Sequence, residues 1–316
     1  MVLAPAFVNT GYSTLVLSWV CLNCVMAASM RFVMLTGHVN FAYGGFVGIG
    51  AYTSALLVMR AGLPLCFAVL IAGIVCAIVA LGFGLPTLKL KGAYFFMASF
   101  GFAEVIRIIF HYFFIDLFGG VDGITGIPYP GSVLGISFDP KRGWGYYYLI
   151  LLICSLSLWV LYQLEHNTRL GKILMSIQQS ESLAESVGIT PMTYKVMGFI
   201  IGSFFAGVTG SLYSHLIGVI APEDFTFMFS VYILMYVVIG GKGNFFGPPV
   251  GAAFLTFISS FWLKALGFWE SVAFAVVMLI TILFLPEGLA MLPARISSLL
   301  HGIRKTIIED GENGTT

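Results

Sequence analysis

Glu104 and Arg107 stand three residues apart inside an apolar run from about 93 to 113. That spacing puts both side chains on one face of a helix. A charge at the centre of a membrane span costs about 2.5 to 3.5 kcal/mol on insertion scales, so such a pair faces other helices or a wet cavity and not lipid. Two roles fit it: a structural pair that locks two helices together, or a polar stretch of a translocation path. The other reactive side chains form no catalytic pattern. The histidines, His38, His111, His166, His215 and His301, are scattered, with no pair at a spacing suited to a metal or haem. Cys21 and Cys24 form a C-x-x-C without a second such pair, and all five cysteines (Cys21, Cys24, Cys66, Cys76, Cys154) fall in apolar runs as packing residues. H-E-x-x-H, G-x-S-x-G and the phosphate-binding G-x-x-x-x-G-K-[ST] are all missing. The expectation is a protein that is no enzyme, with no catalytic residue, no metal and no cofactor of its own.

The elements that position these residues follow from composition. Of 316 residues 59% are hydrophobic and 9% charged, with mean hydropathy +0.98. Soluble domains carry about 25% charged residues, so a soluble globular fold is excluded and lipid is the solvent. The net charge of +1 provides no basic face for a nucleic acid. At about 20 apolar residues per span, the chain is expected to be one all-α transmembrane domain over 1–316, a polytopic helix bundle of about nine spans, with eight to ten allowed. The spans read at about 8–30, 38–59, 63–86, 93–113, 144–164, 192–217, 225–240, 245–263 and 269–285. With the N-terminus outside, ten of the fifteen lysines and arginines fall on the inner side, which favours that orientation and a cytoplasmic C-terminal tail over 293–316.

Two connectors exceed a turn. Residues 114–143 hold too many glycines and prolines for a helix and are expected to form an irregular outer cap. The inner loop 165–191 carries apolar residues at Leu170, Ile173, Leu174, Ile177, Leu183, Ala184 and Val187, the pattern of one amphipathic helix, which Gly188 stops before Thr190 and Pro191 open the next span. It is either an interfacial helix on the inner leaflet or a docking helix for a cytoplasmic partner; periodicity leaves both open.

Glycine placement is also informative. Gly198, Gly202, Ala206 and Gly210 stand four apart, a ridge for close helix approach or a hinge, and Gly44 with Gly48 and Gly247 with Gly251 repeat the motif. The stretch 36–50 holds five glycines with His38 and Asn40 and is expected to be partly unwound in the membrane. Gly37-His38-Val39-Asn40-Phe41 and Gly241-Lys242-Gly243-Asn244-Phe245 share the form G-x-x-N-F, a hint of an internal repeat. Broken helices expose backbone to substrates near the midplane, so Asn40, Tyr43 and Asn244 join Glu104 and Arg107 as candidates for the path.

The loop from Leu170 to Ile189 resembles the cytoplasmic loop of branched-chain amino acid ABC importer permeases of the M type, the LivM family. Further stretches agree in order from about 35 to 292: Gly37-His38-Val39-Asn40-Phe41 before Gly48-Ile49-Gly50-Ala51-Tyr52, Ala103-Glu104 with Arg107, Gly119-Gly120 to Pro128, Pro222-Glu223, Gly240-Gly241-Lys242-Gly243 with Gly247-Pro248, and Pro286-Glu287-Gly288-Leu289. Gly171, Glu181, Ala184 and Gly188 fit the family's loop, so the resemblance implies a coupling role for these four. Met175 and Gln178 stand where the family has basic residues, and Ser176 where it has alanine.

The resemblance implies a permease subunit in the cell inner membrane that moves branched-chain or related amino acids inward. Its partners would be a second permease subunit (H-type), two ABC ATPase subunits that use ATP and Mg, and a substrate-binding protein outside. The alternatives are an ABC permease for urea or another small amide or amino acid, and an ion-coupled secondary transporter. The latter is expected to show membrane-buried carboxylates for its coupling ion and no long amphipathic inner loop.

Overall fold

The computed structural model describes residues 11–128 and 145–260, with the isolated helical positions Val276 and Leu279. Backbone polar groups have no water to bond in a bilayer, so apolar runs satisfy them within helices. The long ones are α1 (Gly11–Met34), α2 (Tyr43–Ala61), α3 (Leu65–Thr87) and α4 (Ala93–Tyr112). After them come a single turn, α5 (Ile115–Phe118), and a 3-10 turn over Gly120–Asp122. Then follow α6 (Gly145–His166), α7 (Arg169–Gln179), α8 (Glu181–Ser186), α9 (Pro191–Ile217), α10 (Phe227–Gly240) and α11 (Gly247–Ile258). Two two-residue strands, β1 (Ile124–Thr125) and β2 (Val219–Ile220), pair antiparallel with Ile124 opposite Ile220. The chain is therefore an all-α, multi-pass membrane bundle.

Six of these helices, α1, α2, α3, α4, α6 and α9, are long and apolar enough to cross a membrane, at 19 to 27 residues. The expected spans at 225–240 and 245–263 are shorter in their described parts. At 14 residues α10 reaches about 21 Å, against a hydrocarbon core of about 30 Å, while α11 continues through a helical Ser259 to the edge of the described residues. The chain between α9 and α10 is used up in β2 and a 3-10 turn, Pro222–Phe225, so α10 begins only at Phe227. The span expected at 269–285 and the tail 293–316 lie outside the described residues, as do His301 and residues 129–143.

Two expectations need correcting. The unwound stretch ends sooner than residue 50: residues 35–42 lie outside the helices, and Tyr43 to Gly50 are helical and buried. The side chain of Asn40 explains the restart, since its Oδ1 accepts the Ala42 N–H at 2.9 Å. The outer loop is not wholly irregular, because it holds α5, a 3-10 turn and β1 before residue 128.

Helix α9 is the centre of the bundle and packs on α1, α2 and α3. It runs antiparallel to α1, with Gly198 against Thr36 and Gly202 against Val33, and antiparallel to α3, with Phe199 at Gly84 and Gly207 at Cys76. It crosses α2 at a point where a Cβ on Gly50 would overlap the Gly207 backbone and one on Gly210 the Val47 carbonyl. The ends of the bundle differ. One gathers seven of the nine lysines and arginines among the described residues, namely Arg31, Lys89, Lys91, Arg169, Lys172, Lys195 and Lys242; it is called the basic end here. The opposite, strand end carries β1 and β2.

Candidate functional site

Helix α4 presents Phe96, Phe100, Glu104, Arg107 and His111 at steps of four, four, three and four, one continuous stripe. Glu104 is the twelfth of 20 residues, about 16 Å from one end of the helix and 12 Å from the other. Arg107 Nε donates to Glu104 Oε2 at 2.8 Å, and its NH1 donates to Glu223 Oε1 at 2.8 Å. His111 Nδ1 lies 3.8 Å from the same Glu223 oxygen. Two carboxylates thus share one guanidinium, and the Glu104 and Arg107 side chains remain 26% and 27% exposed. Glu223 is the member that sequence reasoning missed. It sits 116 positions from Arg107, and the Pro222-Glu223 dipeptide carries no periodic signal that points to α4.

The segment bearing Glu223 is held by packing. Asp224 Oδ2 accepts the Ala221 N–H at 2.9 Å and closes the turn. Phe225 wedges against Gly48 and against the rings of Tyr52 and Tyr213, with centroids 6.2 and 5.6 Å away. A Cβ at Gly44 would come to 2.8 Å from the Thr226 carbonyl, so only glycine admits this approach. Ser230 Oγ donates to the Phe41 carbonyl and accepts the Gly44 N–H, each at 2.8 Å, stitching the start of α10 to the start of α2.

The other path candidates stand elsewhere. Asn40 is fully buried, and its Nδ2 has no hydrogen-bond partner among the described residues. Tyr43 is fully buried with its hydroxyl 2.6 Å from Ser29 Oγ, inside the α1–α2 packing. Asn244 is exposed in the link before α11, where its carbonyl accepts the Gly247 N–H. Both G-x-x-N-F segments end two residues before a helix begins, at Tyr43 and at Gly247. The glycine ridge divides between neighbours: Gly198 meets Thr36 and Leu174 of α7, Gly202 meets α1, Gly210 meets α2, and Ala206 is fully buried.

At the basic end the inner loop is two helices and not one. Ser180 adopts an extended conformation between α7 and α8, its side chain accepting the Leu183 N–H at 3.4 Å, as serine does when it competes with a helical backbone. Helix α7 buries Gly171, Leu174 and Ile177, and a Cβ at Gly171 would overlap the Glu165 backbone. Helix α8 buries Ala184 and turns Leu183 and Val187 outward, 67% and 71% exposed. Gly188, at φ +84°, ends it. Lys195 in the first turns of α9 donates from Nζ to Glu181 Oε1 at 2.7 Å. That hydrogen bond holds the Glu181 carboxyl below the usual glutamate range. Of the four coupling candidates, Glu181 ties α8 to α9, Gly171 and Ala184 pack inward, and Gly188 terminates. Leu183 and Val187 are the exposed apolar side chains here, and the break at Ser180 separates them from the buried face of α7.

Beneath this element the Arg31 guanidinium pairs with the Glu165 carboxylate, both almost fully buried, and Arg31 Nε donates to the Lys242 carbonyl at 3.1 Å. His38 bridges the Thr36 and Leu90 carbonyls, 3.1 and 3.0 Å from its two ring nitrogens. A cavity of about 620 Å³ opens between α8, the start of α9 and the 88–91 link, lined by Lys89, Lys91, Glu185 and Thr190 among others.

The profile of the family described as "Branched-chain amino acid transport system / permease component" matches residues 13–285. The "High-affinity branched-chain amino acid transport system permease protein LivM" of Escherichia coli (strain K12) is 31% identical over 293 residues, which is 86% of this chain and 68% of that protein. Its namesake in Salmonella typhimurium is 31% identical over 277 residues, 81% of this chain and 64% of that protein. The chain thus spans about two thirds of the length of these relatives. The "Ribose import permease protein RbsC" of Escherichia coli (strain K12) is 24% identical over 305 residues, 89% of this chain and 87% of that one. No solved structure matches the chain.

Proposed function

The chain belongs to the branched-chain amino acid transport permease family, and from that premise we propose that it is the membrane half-channel of an ATP-driven importer for branched-chain or related aliphatic amino acids. The α7–α8 element carries this reading. Helix α7 spends its apolar face on the bundle, leaving Leu183 on the six-residue α8 and Val187 just after it. Two side chains are too little apolar surface to anchor a helix in a leaflet, where binding scales with buried area, but they suit a groove on a cytoplasmic ATPase. Gly171, Glu181, Ala184 and Gly188 would then transmit the motor's movement to α6 and α9.

In this reading the basic end lies in the cytoplasm and the N-terminus outside the inner membrane. ATP and Mg stay with two separate ATPase subunits, an H-type permease completes the channel, and an external binding protein delivers substrate. Glu104 and Arg107 line the path. A zwitterion needs an anion for its ammonium and a cation for its carboxylate, and the network with Glu223 offers both. An ion-coupled transporter would instead need an intramembrane carboxylate free to take and release its ion, whereas Glu104 is committed to Arg107.

Co-purification from native membranes tests the proposal. An ATPase, a second permease and a binding protein that takes up leucine, isoleucine or valine are expected. A chain that purifies without any ATPase contradicts it, and a binding protein selective for urea redirects the substrate to small amides.

A further inference from the structure

Helix α4 has two exposed faces of different character. Tyr94, Met97, Val105, Ile108 and Tyr112 form an uninterrupted apolar face, which hydrocarbon accommodates at no cost. The stripe through Phe96, Phe100, Glu104, Arg107 and His111 does not suit hydrocarbon, because two quarter-exposed charges stand in it well inside the helix. On the basic-end side of those charges, the same stripe meets rings from two other chain segments. Phe41, before α2, lies 4.7 Å from Phe96 and 6.4 Å from Phe227, and Phe227, the first residue of α10, lies 5.1 Å from Phe100. Phe96 and Phe100 complete the circuit at 6.4 Å. Four rings from three discontinuous segments thus converge where α2 and α10 both begin, beside the Ser230 stitch, with Phe96 and Phe100 still about two-fifths exposed.

We propose that Phe41, Phe96, Phe100 and Phe227 form this subunit's share of an apolar constriction in the translocation path, one to two helical turns beyond the Glu104–Arg107–Glu223 network; the inference rests on the reading of that network as path. The order of chemistry along the stripe suits an aliphatic amino acid. Its charged ends are met by Arg107 and the two carboxylates, and its side chain is the part that rings of this kind accept. An apolar ring also closes a path to water and ions by dewetting. Because the rings come from three segments, a shift of α2 and α10 relative to α4 parts them without unfolding any helix.

The test uses the complete importer, with both permeases, ATPases and binding protein, in liposomes preloaded with labelled leucine. The double substitution Phe100→Ala with Phe227→Ala is expected to leak leucine several-fold faster than wild type without ATP and to move less leucine per ATP hydrolysed. Met97→Ala on the lipid face and Phe100→Leu, which keeps a large apolar side chain, are expected to stay tight. Vesicles of the double variant that are as tight and as well coupled as wild type overturn the proposal. Should that variant fail to assemble, Phe100→Cys decides, in a background where the exposed Cys66 is replaced by alanine. A water-soluble thiol reagent is expected to label position 100 during turnover and to leave Met97→Cys unlabelled; equal labelling, or none at position 100, overturns the constriction. A wild-type complex that moves no leucine with ATP defeats the substrate reading instead, while the labelling pattern still reports on the constriction.

Discussion

Glu181 and Lys195 lend themselves to an asymmetric test, because their 2.7 Å pair is unequally solvated: the Lys195 side chain is 5% exposed and that of Glu181 35%. Glu181→Gln leaves a buried ammonium with no counter-charge, and Lys91, which also acts on Glu181, then adds repulsion. A hydrogen bond to a charged group contributes about 1.5 to 3 kcal/mol, and stranding a buried charge moves the loss toward the upper end. Lys195→Gln leaves a carboxylate that water reaches, so its cost stays near the surface-pair range of about 0 to 1 kcal/mol. The difference of about 2 kcal/mol corresponds to roughly 30-fold in the population of α8 detached from α9. Hydrogen exchange of the 181–188 amides and the ratio of ATP hydrolysed to substrate moved in the reconstituted importer should both rank the variants wild type, Lys195→Gln, Glu181→Gln. The reverse order, or two variants indistinguishable from wild type, refutes the reasoning. The tie is also expected to be flat between pH 8 and 5. A carboxyl whose folded pKa is depressed stabilises above its unfolded value, about 4.3, and loses that contribution only as pH falls through the lower folded value.

Breaking the buried Arg31–Glu165 pair with Glu165→Leu should destabilise the protein by about 3 to 5 kcal/mol, and the double change Arg31→Met with Glu165→Leu should recover most of it; unfolding in detergent measures both. Gly50→Leu, which drives a side chain into the Gly207 backbone, should abolish assembly, whereas Gly82→Ala, with open space around it, should leave expression unchanged. Glu104→Gln should leave the subunit in the complex and remove most uptake; loss of assembly instead would make the Glu104–Arg107 pair a helix lock and not a path.

The helices were legible because hydrocarbon leaves an apolar chain one way to satisfy its backbone, and six spanning helices sit within a few residues of the runs that predict them. Local signals also marked Gly188, Thr190 and Pro191 correctly as a stop and a start. What stayed hidden depends on contacts distant in sequence. Nothing near Glu223 announces that it reaches Arg107, and Gly207, which meets Gly50, lies off the four-residue ridge that drew notice to Gly198 and Gly202. The periodic reading also ran Leu183 and Val187 into one apolar stripe with Leu174, since periodicity is blind to the backbone competition at Ser180. The packing of the glycine-rich stretch that holds Asn40 and Tyr43 is likewise invisible locally, since Tyr43 meets Ser29 of α1 and Gly50 meets Gly207 of α9.

The central claim is that this chain conducts but does not power transport. Its most direct measurement is labelled leucine uptake into proteoliposomes containing the chain alone, with its sister permease, and with the ATPase and binding protein added in turn. Uptake against a gradient is predicted only for the full set with ATP, and is predicted to fall when Leu183 and Val187 are both replaced by aspartate. Concentrative uptake by the chain alone, driven by an ion gradient, would contradict the account.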